Sequence, residues 1–205
     1  MIPDLDAGLR GYFSAFARLL DHVQVTSDRG EPVALDAAVD SIVDLIVSVK
    51  DSGAKVLLIG NGGSAALVSH TQNDLCKMVG ARAMVFTEGP LLTATANDDG
   101  YQAVFHRPVE LWADPHDLLI AVSSSGESEN IVRAAAAARA KGCRVVTMTG
   151  FSATNRLRQL GVLNVYVPAS TYGYVETAHA LIAHCVTDMA VLRAAMPVRL
   201  DARIS

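Results

Sequence analysis

Lys55-Val56-Leu57-Leu58-Ile59-Gly60-Asn61-Gly62-Gly63-Ser64 is the stretch from which the fold can be read. A short, nearly all-apolar run breaks at glycine and passes at once into a helical pattern over 63–78. A run of this length without polar alternation fits a strand buried on both faces. The same rhythm recurs downstream. Strands are expected at 83–87, 117–122, 144–149 and 163–167, with helical patterns at 102–112, 127–141 and 153–159 and a last helix over about 173–195. The alternation predicts an α/β fold, a five-stranded parallel sheet with helices on both faces.

Upstream of the first strand the spacing changes. Leu9, Tyr12, Phe13, Phe16, Leu19 and Leu20 recur every three or four residues, as on one face of a helix. Residues 25–33 are polar, hold Gly30 and Pro32, and read as a loop. Val39, Ile42, Val43, Leu45, Ile46 and Val49 mark a second helix over 34–52. The aromatic face of the first helix has little of its own to pack on. Residues 1–52 are therefore read as a helical pair covering the core and a subunit interface, 53–196 as the α/β domain, and 197–205 as a loose tail.

Composition bounds the function. The chain has 205 residues, 51% hydrophobic and 19% charged, which excludes a disordered chain and fits one domain with a helical appendage. The net charge is −4 and no Lys/Arg run occurs, which argues against a nucleic-acid partner. No apolar run approaches the ~20 residues that span a bilayer, and the N-terminus lacks a basic, apolar leader. Cys76, Cys143 and Cys185 show no paired spacing. A sparse, odd count suits a reducing compartment, so the chain is expected to be soluble and cytoplasmic.

Three loops and two helices hold the residues that could carry chemistry. In an open α/β sheet ligands bind at the carboxyl ends of the strands. There, the glycines of 60–64 let backbone approach a ligand, and free helix N–H groups favour an anion. The spacing matches neither a dinucleotide nor a nucleoside-triphosphate loop. The competing reading is a tight turn with Ser64 as N-cap. The third strand runs into Ser123-Ser124-Ser125-Gly126-Glu127-Ser128-Glu129-Asn130, where four hydroxyls surround one glycine at a helix start. Such donors can enclose a phosphate without a lysine; the alternative is an elaborate N-cap. Glu127 and Glu129 would repel a phosphate, so their side chains must point away. Thr95-Ala96-Asn97-Asp98-Asp99-Gly100 reads as a turn after the second strand.

His70 and Asp74 are spaced to share one helix face. In the last helix His179 and His184 point about 140° apart, so both rarely serve one site. Glu176 and His184 are closer in direction but about 12 Å apart along the axis. Two histidines and two carboxylates suit Zn²⁺, and also Mn, Fe or Ni; the alternative is packed or surface histidines.

Together these residues resemble the SIS (sugar isomerase) domain family, and most closely its phosphoheptose isomerases. The resemblance rests on Gly60-Asn61-Gly62-Gly63-Ser64-Ala65-Ala66 with His70 beyond it, on Ala96-Asn97-Asp98, on the serine run 123–130, and on His179 and His184. It implies a flavodoxin-like three-layer sandwich with added N-terminal helices. It implies interconversion of sedoheptulose 7-phosphate and D-glycero-D-manno-heptose 7-phosphate through an enediol(ate), in nucleotide-activated heptose biosynthesis. It also implies a homotetramer with active sites at subunit contacts. Carried over by motif, Asn61, Gly62, Gly63, Ser64, Asn97 and Asp98 would contact the sugar, and Ser123, Ser124, Ser125 and Ser128 the phosphate. Zn²⁺ would be held by His70, Asp74, Glu176 and His184, with Asp74 and His184 sharing the acid–base work and Glu176 also facing substrate.

Two positions depart from the family pattern. Asp74 stands where Glu is usual, and Glu176 where Gln is usual. The shorter Asp74 would reach its target less well, and Glu176 would add charge beside the ion. These departures keep open another sugar phosphate, and a second class of protein, a non-catalytic SIS regulator or scaffold of the replication-initiator-associating type. Retention of His70 and His184 argues against the latter.

Overall fold

The computed structural model describes residues 8–195, so the tail expected over 197–205 lies outside the described residues. In chain order, α1 (Gly8–Leu20) leads into a hairpin of β1 (Gln24–Ser27) and β2 (Pro32–Val33), then α2 (Leu35–Ser52). The alternating part follows as β3 (Lys55–Gly60), α3 (Gly62–Asp74), β4 (Arg82–Val85), α4 (Gly89–Asp99), α5 (His106–Trp112), β5 (Leu118–Ser123), α6 (Glu129–Ala140), β6 (Arg144–Thr149), β7 (Leu163–Tyr166) and α7 (Tyr172–Ala194).

The sheet order is β2-β1-β7-β6-β5-β3-β4. The five strands from β7 to β4 are parallel, as the apolar runs imply. Successive side chains alternate between two cores. Val56, Leu58, Ile120 and Val122 pack on one face with α2 and α7, while Leu57, Ile59, Leu119 and Ala121 pack on the other with α5 and α6. Each fully buried Leu, Ile or Val side chain contributes about 1.5–3 kcal/mol, so these alternations set the register of every central strand. Ala134, Ala135 and Ala138 of α6 are wholly buried; their small side chains let that helix lie close to the sheet. α2 presents Val39, Ile42, Val43 and Ile46 to the first core and stops at Gly53, whose φ of 74° is a left-handed cap.

The structure corrects several local expectations. Residues 25–33 are not a loop: β1 pairs antiparallel with both β2 and β7, making the sheet seven-stranded and mixed. The strands are only four and two residues long, and of β1 only Val25 is buried, so no period-two signal stood out. Pro32 is tolerated because β2 is an edge. Residues 95–99 are not a turn but the end of α4; Pro90 fits its first turn, and Gly100, at φ 83°, ends it. Only 157–159 of the helix expected at 153–159 is helical, as one 3₁₀ turn. The helix expected to 78 is α-helical to Asp74 and then becomes a π turn, Leu75–Val79.

The order around β3 positions the site. From β3 the chain crosses to β4 on one side, and β5 lies on the other. The loops leaving β3 and β5 therefore diverge and leave a crevice between them. α7 closes this end of the domain and packs along α2 and α3. Arg193 anchors its far end by pairing with Asp40 and Asp44 of α2.

Asn164 ties the added hairpin to the parallel sheet. Its Oδ1 accepts from the Thr147 hydroxyl at 2.8 Å and the Gly161 N–H at 2.9 Å, and its amide donates to the Gly161, Thr26 and Ser27 carbonyls. Asn164→Ala strands a buried hydroxyl and a buried N–H, for an expected loss of about 2–4 kcal/mol. Urea unfolding reads this directly; an unchanged midpoint would remove the hairpin tie from the stability of the fold.

Candidate active site

β3 ends at Gly60, where a Cβ would sit 2.7 Å from the Ser64 backbone, so only glycine allows the turn to close this tightly. α3 starts at Gly62, not after Ser64. Ser64 is a buried residue of its first turn rather than its N-cap. The first helical hydrogen bond runs from Ala65 N–H to the Asn61 carbonyl, which leaves the N–H groups of Gly62, Gly63 and Ser64 at the open helix end.

The serine loop follows β5 beside this turn. Ser123 and Ser124 are buried. Ser123 Oγ accepts from Gly126 N–H at 3.2 Å, and Ser125 Oγ accepts from Glu127 N–H at 3.2 Å. Ser128 stands at the N-cap of α6 but its hydroxyl makes no capping bond, so helix capping does not account for these hydroxyls. Ser124 Oγ is buried with no partner among the described residues. A buried orphan hydroxyl is costly unless a ligand completes it.

The two loops enclose a pocket of about 290 Å³ whose walls are Asn61, Gly62, Gly63 and Ser64 on one side and Ser123, Ser124, Ser125 and Ser128 on the other. Tyr172 and Glu176, from the start of α7, complete it. A Cβ on Gly63 would lie 2.6 Å from Glu176 Oε2, so α3 and α7 meet here and a larger residue would displace the Glu176 carboxylate. Every donor in this pocket is a hydroxyl, an amide or a backbone N–H. Glu127 and Glu129 line no part of it; Arg156 holds the Glu127 carboxyl below its ordinary pKa, and Arg133, with Arg156, does the same for Glu129.

The loops are fastened to each other by an amide pair. Asn61 Nδ2 donates to Asn130 Oδ1 at 3.0 Å, and Asn130 Nδ2 donates back to Asn61 Oδ1 at 2.9 Å. The Tyr101 hydroxyl also donates to Asn61 Oδ1 at 3.0 Å. Asn61 thus serves first as a clamp. Asn130, Tyr101 and Tyr172 were not singled out from the sequence. Asn130 ended the quoted serine run and was the one of the three with a signal; the tyrosines carried none. The 95–100 segment meets the site through neighbouring Tyr101, whereas Asn97 and Asp98 are exposed on α4 and bond each other.

A second group lies farther along the same two helices. His70 Nε2 is 3.3 Å from Asp74 Oδ2, and His184 Nδ1 is 3.9 Å from the same oxygen. The two imidazoles meet edge to face at 5.2 Å. One ligand atom from each of the three residues lies within 4.8 Å of the others. The Asp74 side chain is largely buried, while both histidines are about half exposed. Two imidazole nitrogens and one carboxylate oxygen, gathered this closely and open to solvent, form a donor set suited to a divalent transition metal. Glu176, expected with them, stands instead in the serine pocket. Eight residues of helix separate it from His184, or about 12 Å of rise.

A family model described as SIS domain matches residues 11–150. A phosphoheptose isomerase of Citrifermentans bemidjiense is 34% identical over 183 residues, covering 84% of this chain and 92% of the relative. One from Thiobacillus denitrificans is 33% identical over 181 residues, covering 83% and 92%. Among solved structures, the phosphoheptose isomerase of Neisseria gonorrhoeae superposes with a TM-score of 0.76 at 25% identity, covering 91% of this chain and 99% of that one.

His179 lies apart from both groups. It is wholly buried, with Nε2 3.1 Å from the Thr149 carbonyl and Nδ1 unpartnered among the described residues. Burial pushes its pKa down to about 4, against the smaller pull of that hydrogen bond. The unfolded chain takes up this proton near pH 6.5 and the folded chain only near 4, so folding stability falls as pH drops through that window. The slope from this residue reaches about 1.4 kcal/mol per pH unit. His179→Gln is expected to flatten the acid limb by that amount in urea unfolding at a series of pH values; an identical limb would mean the buried ring titrates normally.

Proposed function

The chain belongs to the SIS-domain family, and from that premise and the two polar groups along α3 and α7 we infer that it is a phosphoheptose isomerase. It interconverts sedoheptulose 7-phosphate and D-glycero-D-manno-heptose 7-phosphate, the step that feeds nucleotide-activated heptose biosynthesis. The observation that carries the reading is the pair of sites served by α3 and α7, a pocket of uncharged anion donors at their N-terminal ends and the His70–Asp74–His184 group farther along. Six residues of α3 separate Ser64 from His70, about 9 Å of rise. That distance suits the reach of an open-chain heptose from its phosphate to its carbonyl carbon. A non-catalytic scaffold has no use for the second group.

In this reading Ser123, Ser124, Ser125 and Ser128 hold the phosphate, with Ser64 and the N-terminal N–H groups of α3 beside them. Asn61, Gly62 and Gly63 line the path of the sugar, and Glu176 faces its hydroxyls from α7. Binding energy gathered at the phosphate fixes the reacting carbons at the far end, where it can lower the barrier. The reaction moves a proton between adjacent carbons and must stabilise an enediol(ate). Asp74 and His184 divide this work: one takes the proton from carbon while the other serves the neighbouring oxygen, and the roles reverse in the opposite direction.

His70, Asp74 and His184 are the residues that would hold Zn²⁺. Asp74 has two oxygens and His184 two ring nitrogens, so each can bind by one atom and move a proton with the other. When bound, the ion supplies Lewis acidity that polarises the carbonyl and its neighbouring hydroxyl.

The active assembly in this reading is a homotetramer. Tyr12 and Phe16 of α1 pack on Tyr174, but Leu9 and Phe13 remain 68% and 59% exposed, an apolar edge that a second copy would cover. Asn97 and Asp98, exposed on α4, would meet substrate only across such a contact. Three unpaired cysteines suit a reducing cytoplasm, and among the described residues no helix is long and apolar enough to cross a membrane.

Turnover of sedoheptulose 7-phosphate by metal-stripped protein, with and without added Zn²⁺, tests substrate and metal together. Zn²⁺-dependent formation of the aldoheptose phosphate is expected; turnover indifferent to metal would discard the ion, and no turnover from folded protein would discard the substrate. Asp74→Asn and His184→Ala are each expected to lower kcat by roughly 10²–10⁴-fold with unfolding midpoints little changed. Activity within a few-fold of the parent in both variants would remove the acid–base assignment.

A further inference from the structure

The serine loop has an electrostatic problem of its own. Glu127 and Glu129 lie between and beside the hydroxyls that face the pocket, and two carboxylates this near would oppose a phosphate dianion. The segment between β6 and β7 answers it. Arg156 donates from its backbone N–H to Glu127 Oε1 at 3.0 Å and from Nε to Glu127 Oε2 at 2.7 Å. Nη2 donates to the Glu127 carbonyl at 2.8 Å, and Nη1 reaches Glu129 Oε2 at 2.9 Å. The other oxygen of Glu129 takes Arg133 Nε at 2.6 Å. Two positive and two negative charges close on one another on the outer side of the loop.

The same segment fixes the loop's backbone. Gly150 N–H donates to the Ser124 carbonyl at 3.0 Å, and Leu157 N–H to the Gly126 carbonyl at 3.0 Å. Gly126 has φ 64°, and a Cβ there would run into the side chain of the fully buried Asn155. Arg156 is thus held in place by its neighbours, independently of the carboxylates it meets.

We propose that Arg156 is a positioning residue for the substrate phosphate: it pins Glu127 and Glu129 outside the pocket and cancels their charge, so that a site made only of neutral donors accepts a dianion. The inference rests on the serine pocket being the phosphate site. Arg156 touches neither substrate nor reacting atoms, and its loss is felt in binding rather than in the proton transfers.

The test uses the full-length protein, with KM and kcat for the heptose phosphate and the Ki of inorganic phosphate as a competitive inhibitor. Arg156→Gln is expected to raise KM and Ki about tenfold with kcat within about twofold, since Glu127 is freed near the anion and Glu129 keeps only Arg133 as its partner. Adding Glu127→Gln and Glu129→Gln to that variant removes the repulsion and is expected to bring both constants back to within about threefold of the parent. Arg156→Lys retains the charge without the fork and should fall between. Glu127→Gln with Glu129→Gln alone takes the carboxylate partners from Arg156 and Arg133 and is expected to lower Ki several-fold, which keeps the question answerable if Arg156→Gln does not fold. A triple variant no better than Arg156→Gln, an unchanged Ki in the double variant, or a loss confined to kcat would each overturn the proposal. Ser124→Ala and Ser125→Ala separate it from its premise. A Ki indifferent to the serines removes the phosphate site itself, whereas a Ki that depends on the serines but not on Arg156 removes only this inference.

Discussion

Gly60 at the end of β3 lies beside Val122 near the end of β5, and this parallel register decides where the polar loops of the molecule arrive. It is set by side chains that never meet a ligand. Leu57 and Ile59 face one core while Val56 and Leu58 face the other, and a slip of one residue would exchange the two sets. Because both strands run the same way, their carboxyl ends open on the same edge. Because the chain leaves β3 in one direction and β5 lies in the other, nothing fills the space between the loops. The Asn61–Asn130 amide pair then fastens the loops at a fixed distance. Core packing thus dictates the width of the pocket, and the polar residues only furnish it.

The furnishing is unusual in its lack of cations. A phosphate site can be built on Lys or Arg, whose long-range attraction is cheap to arrange but poorly directed. Here the pocket offers hydroxyls, amides and helix N–H groups, which act only over hydrogen-bonding distances and therefore demand a rigid frame. That demand explains the density of backbone constraint around it. Gly60 has no room for a Cβ against the Ser64 backbone, and Gly126 is wedged against buried Asn155. The positive charge that is present, on Arg133 and Arg156, is spent on neighbouring carboxylates.

The five parallel strands were legible because β3 and β5 are continuous apolar runs ending in a small or hydroxyl residue and β4, β6 and β7 are short, mostly apolar runs between helical patterns, a signal that survives without knowledge of neighbours. The hairpin at 24–33 was not, since its strands are too short for periodicity and acquire their meaning only from pairing with β7. At 153–159 helix-compatible residues are diverted into bracing the serine loop, an interaction with a partner nearly thirty residues away that local pattern cannot reveal. Thr95-Ala96-Asn97-Asp98 misled in the opposite sense: Thr95, Asn97 and Asp98 are weak helix formers and read as a turn, yet the stretch closes α4, because Pro90 and Gly100 fix both of its ends. The glycine and serine loops were legible as the polar ends of two strands, and His70 with Asp74 as one face of a helix. The reach of Tyr101 to Asn61 required the folded chain, for it joins residues forty apart.

The two departures from the family pattern have different consequences once placed in space. A shorter side chain at position 74 implied a shortfall in reach, yet Asp74 Oδ2 lies between the two imidazoles, 3.3 Å from one and 3.9 Å from the other. Loss of one methylene has not opened the group. Glu176 implied a second negative charge beside an ion, enough to neutralise a divalent metal formally and blunt its Lewis acidity. Its carboxylate instead lies against Gly63 in the serine pocket, two helical turns from His184. One carboxylate among two imidazoles would leave a bound divalent ion with a net positive charge, which is the condition for polarising a carbonyl. The cost moves to the serine pocket, where Glu176 shares a wall with hydroxyls and no cation among the described lining residues offsets it. A pocket that already contains one such charge can least tolerate two more, which gives the Arg156 clasp on Glu127 and Glu129 its weight in this chain.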